Sequence, residues 1–368
     1  MSIWDSYPAD YRAREVRAIT STVQAGECVA LVGLSGSGKS NVLGFLAHRL
    51  GREGVLPGLS GPHPAFLLVD CNRLAQPTLD GLFHLVLEAL GQPAAGDDVL
   101  ALLDQALEQA LSELPGVCLL LDRFDILASA IGSTLALPQA VASNLRAIRD
   151  AHKYDLTYVT GSRRPLDPHS ELAELFFAHT LWLGALNEPD ARWNVTRYAE
   201  RNALDWDELD IQRILQLSGG YPSLLRAVCE AHAAGCPLEL GQVQRHPAVL
   251  QRVEEFWFDQ PGPVELAHSG LTGHPLLATA QPLHDQNTIQ LTAKENLLWS
   301  YLKSHPNQVC EKDDLIRAVW PEDRIFEDGI RDDSLAQLVR RLREKIEFQP
   351  SSPRHIHTVP GRGYRLIP

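Results

Sequence analysis

Gly33, Gly36, Gly38, Lys39 and Ser40 lie within the stretch GLSGSGKS, with four residues between Gly33 and Gly38. That spacing suits the holding of a phosphate chain. Glycines let backbone N–H groups curl around the oxyanions, a lysine at position 39 reaches the outer phosphates, and a serine at 40 offers its hydroxyl to magnesium. Asp122 ends the apolar run VCLLLD and is placed to be the second contact to the same ion. Asp125, three residues later, either polarises a water, caps a helix or pairs with Arg123. Thr160 and Arg163 stand at the polar end TGSRR, as sensors of a γ-phosphate or as a solvated strand end.

The surrounding elements must position these groups. ECVALV reads as a strand and KSNVLGFLAHRL as an amphipathic helix, so the glycines fill the turn between them, the setting a P-loop requires. PAFLLVD, GVCLLLD and YDLTYVTGS are further short strands, separated by helical patterns such as VLALLDQALEQALSEL. Alternating strands and helices predict an α/β fold with a parallel sheet covered on both faces. Ligands of such sheets bind at the carboxyl ends of the strands, where Lys39, Asp122 and TGSRR converge. The predicted organisation is a nucleotide-binding domain over 1–180, a helical lid over 181–260, a Gly- and Pro-rich linker over 261–281 and a winged helix-turn-helix over 282–368. Arg123 follows Asp122 where hydrolytic motors often carry glutamate, which predicts slow turnover.

The last ninety or so residues carry a different chemistry. LTAKENLLWSYLKSHP opens with Thr292 and Glu295 at capping-box spacing, and CEKDDLIRAVWP is a second short helix stopped by Pro321. DDSLAQLVRRLREKIEF places Leu335, Leu338, Val339, Leu342 and Ile346 on one stripe and Gln337, Arg340, Arg341 and Glu344 on the other. RHIHTVPGRGYRLIP reads as a hairpin with Arg362 at its tip. From Ser334 onward there are seven basic and two acidic residues, against a net charge of -13 for all 368 residues. Such a basic island in an acidic chain suits a nucleic-acid face, whereas the overall charge argues against indiscriminate binding. The six cysteines have no zinc-like spacing, and no apolar run approaches the length of a membrane helix. A cytoplasmic location without membrane contact is expected.

YRAREVRAI, LLLDRFD, VTGSRR and LSGGYPSLLRAV resemble the ATPase core of the STAND and AAA+-related signalling NTPases over about residues 10–260. The resemblance implies ATP and Mg2+ as ligands, and a lid proline, Pro222 of Gly220-Tyr221-Pro222, against the base. LSGGY is also similar to the ABC transporter signature, but it follows the Asp122 strand instead of preceding it. LTAKENLLWSYL, SLAQLVRRLREKIE and HIHTVPGRGYRL closely resemble the DNA-binding domain of OmpR/PhoB-type response regulators over about 282–368. That likeness implies a recognition helix from about Asp333 to Glu347 in the major groove and a wing in the minor groove. Arg340 and Arg341 are then base or near-base contacts, with Gln337 and Lys345 on the same DNA-binding helix. Arg343 is a phosphate clamp or structural partner, and Arg362 the minor-groove residue. The loop WPEDRIFEDGIRDD is long and acidic where the family often touches RNA polymerase.

Together these features imply a nucleotide-gated, sequence-specific regulator of transcription that binds double-stranded DNA, associates with itself in a nucleotide-dependent way, and hydrolyses ATP slowly. The alternatives are an AAA+ ATPase that acts on DNA as an initiator or transposition regulator, and a signalling ATPase whose winged helix binds protein.

Overall fold

Five parallel strands form the centre of the first unit, residues 1–280, in the order β2-β3-β4-β1-β5. They are β1 (Val29–Val32), β2 (Ala65–Asp70), β3 (Val117–Asp122), β4 (Leu156–Ser162) and β5 (Thr180–Trp182). Every residue of β1, β3 and β4 is buried, and β1 and β3 accordingly read as continuous apolar runs and not as alternating ones. The computed structural model describes residues 3–51, 54, 56, 61–74, 77–93, 98–128, 136–166, 179–258, 261–278, 293–319, 330–347 and 353–367.

Each face of the sheet has its own core. On one, α1 (Ala13–Gln24) and α2 (Lys39–Arg49) pack Ile19, Phe45 and Leu46 against Leu31, Leu120 and Val159. On the other, α3 (Leu79–Leu90), α4 (Val99–Glu113) and, after the short α5 (Asp125–Ala128), α6 (Ala136–His152) cover Val32, Leu119, Leu121 and Tyr158. Thr78 and Asp98 start α3 and α4 by accepting the backbone N–H groups of Gly81 and Ala101.

The region expected to be the lid follows as α7 (Glu188–Arg201), α8 (Glu208–Ser218), α9 (Pro222–Ala233), α10 (Leu240–Val243) and α11 (Pro247–Phe258). Residues 261–278 differ from the expected linker. They form α12 (Pro263–Ser269) and α13 (Pro275–Ala278), and Leu271, Leu276 and Leu277 enter the core with the lid. Here the proline and glycine are helix start and stop signals: Pro263 opens α12 and Gly270 closes it in the left-handed conformation.

The second unit, 281–368, contains α14 (Ala293–Ser304), β6 (Val309–Glu311), α15 (Lys312–Val319), α16 (Ile330–Ile346), β7 (Ile356–Val359) and β8 (Gly363–Leu366). Its three strands pair antiparallel in the order β6-β8-β7. Strand β6 went unrecognised in the sequence, where Cys310 and Glu311 read as the start of the second helix. A side chain at Gly363 would strike the Cys310 carbonyl, so the β6–β8 pairing needs glycine there. The apolar stripe of α16, Leu335, Leu338, Val339 and Leu342, closes the core with Leu298, Ile356 and Tyr364. No helix among the described residues is long and apolar enough to cross a membrane.

Candidate nucleotide site and nucleic-acid interface

Strand β1 runs into the glycine loop, and the loop runs into α2. Gly36 and Gly38 have φ of 76° and 91°, and α2 begins without a side-chain cap, so the amides of its first turn are left for an anion. The Ser35 carbonyl accepts a hydrogen bond from Tyr221 and the Ser37 carbonyl one from Arg12. A trans peptide directs its C=O and the following N–H in opposite senses, so the amides of Gly36 and Gly38 face the other side of the loop. Lys39 is buried, and its ammonium donates to the carbonyls of Gly33 (2.6 Å) and Leu34 (3.3 Å).

Ser40 and Asp122 meet beside this cradle. The Ser40 hydroxyl is hydrogen-bonded to the Asp122 carboxylate, whose Oδ1 also accepts the N–H of Arg123 at 2.9 Å. Burial pushes the Asp122 carboxyl above the ordinary carboxylate value, and the neighbouring Asp70 pushes the same way; Ser40, the Arg123 amide and Lys39 oppose them. A hydroxyl hydrogen-bonded to a buried carboxylate beside an uncapped helix start fits a hard, oxygen-seeking cation held with phosphates. Asp70 was missed in the sequence, although FLLVD ends in aspartate just as CLLLD does.

Asp125 and Arg163 are also brought together. Arg163 Nε donates to Asp125 Oδ2 at 2.9 Å, and Arg123 Nε lies 3.8 Å from Asp125 Oδ1. Arg123 itself has φ of 56°, a left-handed conformation uncommon for a residue with a side chain. Thr160 is not brought to the phosphate side. A side chain at Gly161 would lie 3.2 Å from Asp122 Oδ1, whereas Thr160, one residue earlier, projects to the opposite face, the side of Tyr158. Its hydroxyl is fully buried and has no hydrogen-bond partner among the described residues.

Pro222 stands beside the loop, with Cγ 3.8 Å from the place a Cβ would take at Gly38. Arg12, only 1% exposed, reaches the same loop from before α1.

In the second unit α16 presents Gln337, Arg340 and Arg341 on its exposed side. Arg343 turns inward. Its guanidinium donates to the Ile356 carbonyl and, at 3.0 Å, to Thr358 Oγ1, lies over the Tyr364 ring, and has its pKa lowered by burial. Lys345 is exposed on the same helix, with its ammonium 2.5 Å from Glu295, a carboxylate only 2% exposed. Glu295 was expected to serve a capping box with Thr292, which lies outside the described residues. Arg362 sits at the wing tip with its guanidinium on Glu311 of β6, Nε at 3.0 Å from Oε1.

Residues 23–160 match the family model described as AAA domain, and residues 286–366 that of the C terminal of transcriptional regulatory proteins. The transcriptional regulatory protein YcbL of Bacillus subtilis is 39% identical over 84 residues, covering 23% of this chain and 35% of that protein. The alkaline phosphatase synthesis transcriptional regulatory protein SphR of Synechococcus elongatus is 34% identical over 126 residues, 34% of this chain and 45% of its own length. The chain thus spans less than half of these relatives. Among solved structures, a Walker-type ATPase of Pyrococcus abyssi superposes with a TM-score of 0.47 at 14% identity, covering 99% of this chain and 97% of that one. The Aeropyrum pernix ORC2 protein does so with 0.44 at 14% identity, over 80% and 85%. The chain joins an AAA-type P-loop domain to the winged-helix C-terminal domain of the transcriptional regulatory proteins.

Proposed function

We propose that the chain is a cytoplasmic transcription regulator whose binding to double-stranded DNA is set by the nucleotide in its P-loop domain. One observation carries this reading. The same chain holds an uncapped, glycine-led helix start beside a serine-bonded buried aspartate, and a helix whose outer face offers Gln337, Arg340 and Arg341.

Lys39 would leave the Gly33 and Leu34 carbonyls for the phosphates of ATP, while Ser40 and Asp122 would hold Mg2+. When bound, the ion neutralises phosphate charge. Pro222 borders the loop from the lid, where it would face the base. Arg163, paired with Asp125, would be the group that answers a γ-phosphate.

Two features favour slow hydrolysis. An arginine follows Asp122, and Asp125, the other acid nearby, is already engaged by Arg163 and Arg123. A carboxylate already held by arginines is less free to orient a water, and a slow turnover suits a switch better than a motor. Pairing of two chains on adjacent half-sites would raise affinity by avidity, and the acidic segment 320–333, of which 320–329 lie outside the described residues, would be the contact for RNA polymerase.

The test is selection of genomic DNA by purified protein without nucleotide, with ADP and with a non-hydrolysable ATP analogue, with Lys39→Ala as control. A discrete motif enriched in the ATP state and lost in Lys39→Ala is expected. Sequence-indifferent binding with rapid, DNA-stimulated ATP turnover would overturn it in favour of a remodelling ATPase.

A further inference from the structure

Three consecutive carbonyls of the P-loop are held from outside the loop. Ser35 O accepts the Tyr221 hydroxyl at 2.9 Å, Gly36 O the Ser223 N–H at 3.2 Å, and Ser37 O the Arg12 guanidinium at 3.0 Å. Tyr221 and Ser223 stand at the start of α9, and a side chain at Gly36 would collide with Ser223. Glycine at 36 is therefore needed for the approach of the lid as well as for its φ.

Each donor is itself fixed. Tyr221 is fully buried, follows the left-handed pair Gly219–Gly220, and meets the Phe256 ring edge-on at 6.3 Å. Arg12 extends the contact to the strap that joins β5 to the lid: its guanidinium also donates to Gly184 O (2.9 Å) and Ala185 O (3.2 Å), and its backbone N–H donates to Asp190 of α7. The strap returns to the α8–α9 turn through the Leu186 N–H on the Gly220 carbonyl.

We infer that Tyr221, Ser223 and Arg12 form a bracket on the carbonyl side of the P-loop, which positions the amides on its other side for phosphate and couples nucleotide affinity to the position of the lid. Tyr221 and Arg12 are positioning residues, because they touch the loop and not the phosphates. The inference rests on the nucleotide-binding reading above. Coupling of this kind is reciprocal: whatever the lid gives to nucleotide affinity, nucleotide returns to the lid.

The test replaces one hydroxyl. Tyr221→Phe in the full chain keeps the ring and its packing on Phe256 and removes the hydroxyl that bonds to Ser35. Tyr158→Phe is the control, since its hydroxyl is equally buried, donates to Leu145 O at 2.9 Å, and serves the opposite face of the sheet. Affinity for a magnesium–ATP analogue and for ADP is measured by calorimetry, and nucleotide-induced protection of amides 223–233 by hydrogen exchange. Tyr221→Phe is expected to weaken nucleotide binding roughly three- to tenfold, the worth of one neutral hydrogen bond, and to reduce lid protection in parallel. Tyr158→Phe is expected to lower Tm and leave affinity unchanged.

Wild-type affinity in Tyr221→Phe, or equal weakening in both variants, would overturn the bracket while Lys39-dependent binding upholds the nucleotide site. Absence of any binding that Lys39→Ala abolishes would overturn both.

Discussion

Asp70 and Asp122 stand in register at the carboxyl ends of the adjacent parallel strands β2 and β3. Burial is the main cause that raises the Asp122 pKa, and the Asp70 charge adds to it. A metal competes with that proton. Asp70→Asn is therefore expected to lower the Asp122 pKa and move the pH midpoint of magnesium-dependent nucleotide binding downward. Stability has the matching sign: a carboxyl whose pKa is raised by folding makes the protein less stable as pH rises from the ordinary carboxylate value through its own, and Asp70→Asn should flatten that slope. Calorimetric binding and thermal melts across pH check both; an unchanged midpoint would show that the Asp70 charge does not reach Asp122.

Arginines two and three residues apart on α16 are expected to behave differently. Arg340→Ala and Arg341→Ala should each weaken specific DNA binding by roughly 5- to 150-fold and leave Tm nearly unchanged, because the two side chains are exposed. Arg343→Ala should cost about 1–3 kcal/mol of stability, since it deprives the Ile356 carbonyl of its charged donor. Melting curves beside DNA titrations at several salt concentrations separate the two classes.

Glu311 engages the wing arginine in an exposed ion pair. Glu311→Gln should leave Tm unaltered, because the pair is exposed, and raise affinity for sites with a narrow minor groove about two- to fivefold by releasing Arg362. Arg362→Ala should cancel the gain. If Glu311→Gln strengthened binding equally in the Arg362→Ala background, the effect would be one of overall charge.

Lys345→Ala should act on folding and not on recognition. It removes the ammonium beside the buried Glu295 carboxylate, at a cost of about 1–3 kcal/mol once the partial exposure of the ammonium is allowed for. The double variant with Glu295→Gln should recover most of that loss in a denaturant titration.

What was legible in the sequence was what is local. The glycine loop and its lysine and serine are contiguous, and Asp122 is announced by the apolar run before it. Arg12 and Tyr221 carry no such signal: their partners Ser37 and Ser35 lie 25 and 186 residues away. Lys345 follows the exposed periodicity of α16, and only the fold reveals Glu295 beneath it, 50 residues earlier. Alternation along β4 was readable, but which parity faces Asp122 depends on the register that pairs Leu121 with Thr160. Thr160 and Gly161 exchange roles for that reason. Residues 261–278 have the composition of a linker because proline and glycine mark helix ends as well as loops.

One carboxylate in the second unit has a further consequence. Glu347, directly after α16, accepts the backbone N–H groups of Arg354, His355 and Ile356 at 2.8–3.0 Å and so ties the end of that helix to the first strand of the wing. Arg343 adds a second tie to the same strand. The helix and wing therefore form a single cassette: a graft intended to retarget the protein must carry residues 335–366 together, with Arg343 and Glu347 kept, because a transplanted helix alone would leave the wing aimed by an anchor that no longer fits.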